Sequence, residues 1–100
     1  MKLSREELAR NVDDAEWGVL RAHLERGGLI TVASGLDIVE VGLKIATNDS
    51  AAVGAWIADG KLAKPTAEDI SVWDTTRGKT FRCLIVSPYV LMQEKATLQH

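Results

Sequence analysis

Phe81-Arg82-Cys83-Leu84-Ile85-Val86 constrains this chain more than any other segment, because it is apolar on both sides. Successive side chains of a strand leave opposite faces, so Phe81, Cys83 and Ile85 point one way and Leu84 and Val86 the other. A strand apolar on both faces needs cover on both faces. The apolar run resumes at Val90 and Met92, which extends the strand reading over residues 81–92. Pro88 interrupts it: with no N–H to give to a ladder, it belongs at an edge, a bulge or a break. A strand over 81–86 inside the sheet, with a kink at Ser87-Pro88, meets both demands.

Four helix starts are legible around this strand. Ser4 and Glu7 have capping-box spacing, with Leu3 and Leu8 placed as a hydrophobic staple. Asp13 and Glu16 repeat that spacing, with Val12 and Trp17 as a second staple, and Trp17, Leu20 and Leu24 form a narrow helical stripe ended by Gly27-Gly28. Asn48, Asp49 or Ser50 opens a third helix with Val53, Trp56 and Ile57 inward and Gly60 as its stop. Thr66 and Asp69 open the fourth after Pro65, with Ile70 and Trp73 inward and Gly78 past its end. Residues 29–32 are short and β-branched. After a Ser34-Gly35 turn, residues 37–45 alternate, with Val39, Val41, Leu43 and Ile45 on one face and Ile38, Glu40, Gly42 and Lys44 on the other. That pattern predicts the second strand of a hairpin.

The expected order is ααββααβ: an α+β domain with a three-stranded, mainly antiparallel sheet and helices packed mostly on one face. Residues 1–94 are read as one domain and 95–100 as a polar tail, as suits a chain of 100 residues. A hydrophobic fraction of 46% with 26% charged residues is that of a globular domain. The formal charge is −2 and no two Lys or Arg are adjacent, so there is no basic footprint for nucleic acid. Cys83 is alone, which removes an intrachain disulfide. The first residues lack an apolar leader and no window approaches a membrane span, so a cytoplasmic protein with no membrane partner is expected.

The pattern Trp17 and Leu20, a glycine-rich turn, Leu36-Asp37-Ile38-Val39-Glu40-Val41, Val53 with Trp56 and Gly60, Trp73, and Pro88-Tyr89-Val90-Leu91-Met92-Gln93-Glu94 resembles a family of short bacterial proteins, the domain of unknown function DUF2288. The likeness spans residues 8–94. It implies a stand-alone bacterial protein, and it carries over no activity, cofactor or site residue.

Catalytic and metal chemistry find little support. Zinc takes three or four convergent His, Cys or carboxylate ligands, usually organised by a close-spaced pair. Here His23, His100 and Cys83 lie far apart in sequence, so no metal or other cofactor is expected. Asp37 and Glu40, three apart in the predicted strand, would leave opposite faces. Asp13, Asp14 and Glu16 read as helix-start anions. Cys83, mid-strand between Phe81 and Ile85, reads as buried and inert. No Gly-x-Ser-x-Gly elbow or phosphate loop is present, and Gly27-Gly28 precedes a strand rather than a helix. Trp17, Trp56 and Trp73 sit on three separate helical stripes, the arrangement of core anchors.

The expected site is therefore a surface. If helices cover one sheet face, Ile38, Glu40, Lys44, Arg82, Leu84 and Val86 are left on an open and partly apolar one. The expected function is a non-enzymatic protein-interaction module that self-associates as a homodimer through that face or through the edge beyond Pro88. The alternative is a small-ligand binding protein whose pocket lies between helices and sheet and is walled by tryptophan.

Overall fold

The computed structural model describes residues 4–76, 78–86 and 88–94. Leu3, Ser87 and the tail from 95 to His100, all used in the sequence reading, lie outside them.

Helix α1 (Arg5–Arg10) starts as its cap spacing requires: the Ser4 hydroxyl accepts the Glu7 N–H at 3.1 Å. Strand β1 (Asp13–Glu16) follows, where the sequence suggested a helix start. It pairs antiparallel with β4 (Thr80–Val86), with Asp14 opposite Arg82 and Asp13 opposite Cys83. Its acidic residues therefore line a sheet edge, where charge discourages further strand pairing. Helix α2 (Trp17–Leu24) begins without a side-chain cap, and Gly27 supplies the left-handed turn after it (φ 74°). Gly28 lets β2 (Leu29–Val32) approach the hairpin turn, because a Cβ there would meet the Pro88 carbonyl oxygen at 2.6 Å.

The largest departure from the sequence reading is residues 37–45. They form helix α3 (Ile38–Ala46), not a strand. Asp37 caps it, accepting the Val39 N–H at 2.9 Å. Ile38, Val41, Gly42 and Ile45 fall at i, i+3, i+4 and i+7, one helical face, and Gly42 lies so near the sheet that a Cβ would meet Leu84 Cδ2 at 2.6 Å. The alternation was ambiguous because, after Asp37, Glu40 and Lys44 are its only charged residues. A spacing of four fits both a period of 2 and a period of 3.6. The left-handed residue Asn48 (φ 59°) then turns the chain into α4 (Ser50–Ala58), capped by Asp49.

Gly60 ends α4 as expected. A two-residue strand not foreseen in the sequence, β3 (Leu62–Ala63), pairs antiparallel with β2. Thr66 and Asp69 make a full capping box at α5 (Ala67–Asp74), and Gly78 (φ 75°) follows it. The long final strand is in fact two: β4 and β5 (Tyr89–Glu94) form an antiparallel hairpin with Val86 opposite Tyr89. The sheet is mixed and five-stranded, ordered β1-β4-β5-β2-β3, with β2 parallel to β5. The α+β class stands. The three-stranded sheet, the ααββααβ order and the β2 hairpin do not.

Helices cover both sheet faces rather than mostly one. On the first, Leu8 of α1 and Ile38, Val39 and Val41 of α3 pack on Val32, Leu62, Leu84, Val86 and Leu91. On the second, Trp17 and Leu20 of α2 and Trp73 of α5 pack on Leu29, Phe81, Val90 and Met92. The aromatic rings interlock edge to face, Trp17–Trp73 and Trp73–Phe81 each at 4.9 Å between centroids. The cover asked for by residues 81–86 is thus supplied within one chain at Phe81, Leu84 and Val86, whereas Ile85, on the Phe81 side, stays 60% exposed.

Leu84 is fully inaccessible. Leu84→Ala should therefore cost about 2–5 kcal/mol in denaturant unfolding, and Leu84→Arg, which buries an unpaired charge, should leave no folded domain by circular dichroism. A folded Leu84→Arg protein would contradict cover from the same chain.

Candidate functional site

Charged residues on the first face are largely committed to one another. Arg5 bridges α1 to α3, donating to Glu40 at 2.9 Å and also to Asp37. Asp37 and Glu40 therefore share one helix end and one guanidinium, rather than opposite strand faces. Lys44 continues the ribbon, 4.0 Å from Glu40 and 3.4 Å from Asp49. On the other face, the Asp74 carboxylate accepts the Trp17 indole N–H at 2.7 Å and the Arg21 Nε at 2.9 Å.

These contacts hold three carboxyl groups below their ordinary range. At Asp37 the largest influence, partial burial, acts upward. It is outweighed by the Arg5 hydrogen bond and the N–H of Val39, then by the Arg5 charge and the N–H of Glu40. At Asp49 the Ala52 N–H acts most strongly, with Lys44 adding to it. At Asp74 the Trp17 indole leads and Arg21 follows. Burial, then the charges of Asp13 and Asp14, push the half-buried Cys83 thiol upward, away from a nucleophile. Among the described residues no three His, Cys, Asp or Glu side chains converge as a metal site would need, and no helix is long and apolar enough to cross a membrane.

The six residues expected to share an open face do not share one. Ile38, Leu84 and Val86 are buried in the first-face core. Glu40 and Lys44 belong to the ion-pair ribbon, and Arg82 stands exposed opposite Asp14 near the β1 edge. An open apolar surface lies elsewhere.

It centres on α4, whose nine residues, Ser-Ala-Ala-Val-Gly-Ala-Trp-Ile-Ala, include no charge and none that is buried. Ile57 is 58% exposed. Trp56, expected in the core, is only half-buried against its margin. Between α4 and the sheet edge opens a cavity of about 450 Å³. Ile45 of α3 and Val53 and Ile57 of α4 form one wall; Ile30 of β2, Leu62 and Ala63 of β3 and Tyr89 of β5 form the other. Lys44, Asn48, Asp49, Ser50 and Lys64 supply its polar atoms. A cavity between helices and sheet was one sequence expectation, but this lining contains no tryptophan. Trp73 instead lines two smaller clefts of about 230 and 270 Å³, the second shared with Trp17. The sequence did hold one signal for the site: an uncharged helix exposes apolar surface unless it is covered all round.

The sequence profile of the family described as "Protein of unknown function (DUF2288)" matches residues 3–94. The chain belongs to the DUF2288 family. The NMR solution structure of PA1075 from Pseudomonas aeruginosa is similar to it, with a TM-score of 0.79 and 30% sequence identity over 93% of this chain and 87% of that one. No curated protein matches. The likeness extends to the fold and the family, and neither description names a substrate or partner.

Folding favours the ionised form of Asp37, Asp49 and Asp74, since each pKa lies below the unfolded value of 3.8. Their contribution is complete above that value and is lost as pH falls through the folded-state values beneath it. Thermal unfolding should show Tm dropping on acidification from about pH 5 through this range. Asp74→Asn should lower Tm at neutral pH and make the acid decline shallower. A decline unchanged by Asp74→Asn would show that this carboxylate adds nothing.

Proposed function

We propose that this chain is a non-enzymatic binding module for an apolar small molecule, with its site in the cavity between α4 and the β2–β3 sheet edge. The observation that carries this reading is the cavity itself. At about 450 Å³ it falls within the roughly 300–1,000 Å³ typical of small-molecule sites, and such sites combine apolar walls with a few polar groups. The nearby carboxylates are engaged by Arg5, Lys44 and the Ala52 N–H, so none of them is placed as a free general base. A neutral solvatochromic dye such as Nile red should bind with a blue-shifted emission. Ile57→Lys, at an exposed position, should abolish the shift without lowering Tm. A blue shift that survives this substitution would place the dye elsewhere and overturn the reading.

Self-association is a second reading, favoured by the uncharged and unburied α4. It moves the expected homodimer contact from Ile38, Leu84 and Val86 to this helix. A nine-residue helix is only about 14 Å long, however, and a stable dimer buries about 800 Å² on each partner. The contact would have to reach past α4 to Tyr89 and the cavity rim, which is why this reading ranks second. Light scattering at tens of micromolar should then give twice the chain mass, returning to a single chain in Ile57→Lys. A monomeric wild type would remove it.

A further inference from the structure

We propose that the cavity takes a single-chain amphiphile with an anionic head group, and that Lys64 holds the head. The inference rests on the apolar-ligand reading above and adds the charge and shape of the ligand.

Three charged side chains line the cavity: Lys44, Asp49 and Lys64. Lys44 lies 3.4 Å from Asp49 and also approaches Glu40, so its charge is balanced within the protein. Lys64 makes no ion pair among the described residues, and it is exposed. One positive charge without an ion pair among the described residues therefore lines a cavity whose walls are mostly apolar. A carboxylate or phosphate oxygen complements it, a neutral head leaves it unused, and an ammonium is repelled.

The interior fixes the remainder of the ligand. Ile30, Ile45, Val53, Ile57, Leu62 and Tyr89 offer surface for an alkyl chain. At about 450 Å³ the volume lies in the lower half of the small-molecule range, which suits one chain better than two. Their places in the fold also separate the two parts of the ligand. Lys64 directly follows β3 on the sheet side of the cavity, whereas Val53 and Ile57 belong to α4 on the other side.

Calorimetric titration with n-alkyl carboxylates of increasing length, below their micelle concentrations, tests this directly. Alkanols and alkylammonium ions of equal length serve as controls. Affinity should rise about fourfold per added methylene until the groove is full. Carboxylates should bind about two- to fivefold more tightly than alkanols at low salt, and the margin should shrink as salt is added. Lys64→Gln should erase that margin while keeping the chain-length dependence, and Ile57→Lys should remove the chain-length dependence. Equal affinity for carboxylates and alkanols, or a margin that survives Lys64→Gln, overturns the head-group assignment and leaves the apolar-ligand reading intact. Absence of binding by every chain overturns both. Co-sedimentation with phosphatidylglycerol vesicles without uptake of any soluble alkyl carboxylate assigns the surface to a bilayer and also overturns the proposal.

Discussion

Phe81 and Leu84 stand on opposite faces of β4, and water reaches neither to any extent. Everything else in the fold answers to this two-sided burial. One face takes α1 and α3, the other α2 and α5, and the strands feed alternate residues to the two cores. Burying one large aliphatic or aromatic side chain is worth about 1.5–3 kcal/mol, whereas a whole domain keeps only about 5–15 kcal/mol of net stability. The hairpin β4–β5 carries buried residues on both sides, so the two helix layers depend on each other through it. Gly42 makes the first layer possible by letting α3 settle against Leu84. Gln93 completes the arrangement: its side-chain amide donates to the carbonyls of Ala33 and Leu36, at 2.8 and 2.5 Å, which fixes the path from β2 into α3.

The polar groups of the first face are arranged so that the apolar cavity is left with little internal competition. Arg5, Asp37, Glu40, Lys44 and Asp49 form a continuous ribbon across α1, α3 and the start of α4. These exposed pairs add little to stability individually. Their larger consequence is positional, since they hold the α3–α4 corner where Asn48 turns the chain. The corner sets the stand-off of α4 from β2 and β3, and that stand-off is the cavity. The cavity in this chain comes from a helix held beside the sheet with none of its residues buried.

Sequence and structure agree where a signal is local. Ser4 and Thr66 cap the helices their spacing announces, Asp49 is the one of three candidates that caps α4, and Gly27, Gly60 and Gly78 take the left-handed backbone after α2, α4 and α5. They part where a pattern fits two periods. Asp13 and Glu16 have the spacing of a cap pair, yet they lie in a strand, because β4 offers an edge next to Cys83 and Arg82. The site was legible only in part: the uncharged α4 was visible as Ser50 to Ala58, but nothing near it in sequence pointed to Ile30, Tyr89 or Lys64.

What the sequence by itself determined was the need for cover on both sides of residues 81–86, the ends of most helices, and the α+β class. Each follows from chemistry within a few residues: side-chain alternation, capping hydroxyls and carboxylates, and glycine at positive φ. Only the tertiary structure decided that residues 38–46 are helical, that β2 runs parallel to β5, and that Ile30 and Tyr89 face the same cavity. Pairing Leu29 with Val90 joins strands far apart in the chain, and no local propensity encodes such a contact. For Ile38, Val41 and Gly42 the choice between strand and helix fell to the sheet beneath them, because only a helix brings all three onto one face against Leu84 and Val86.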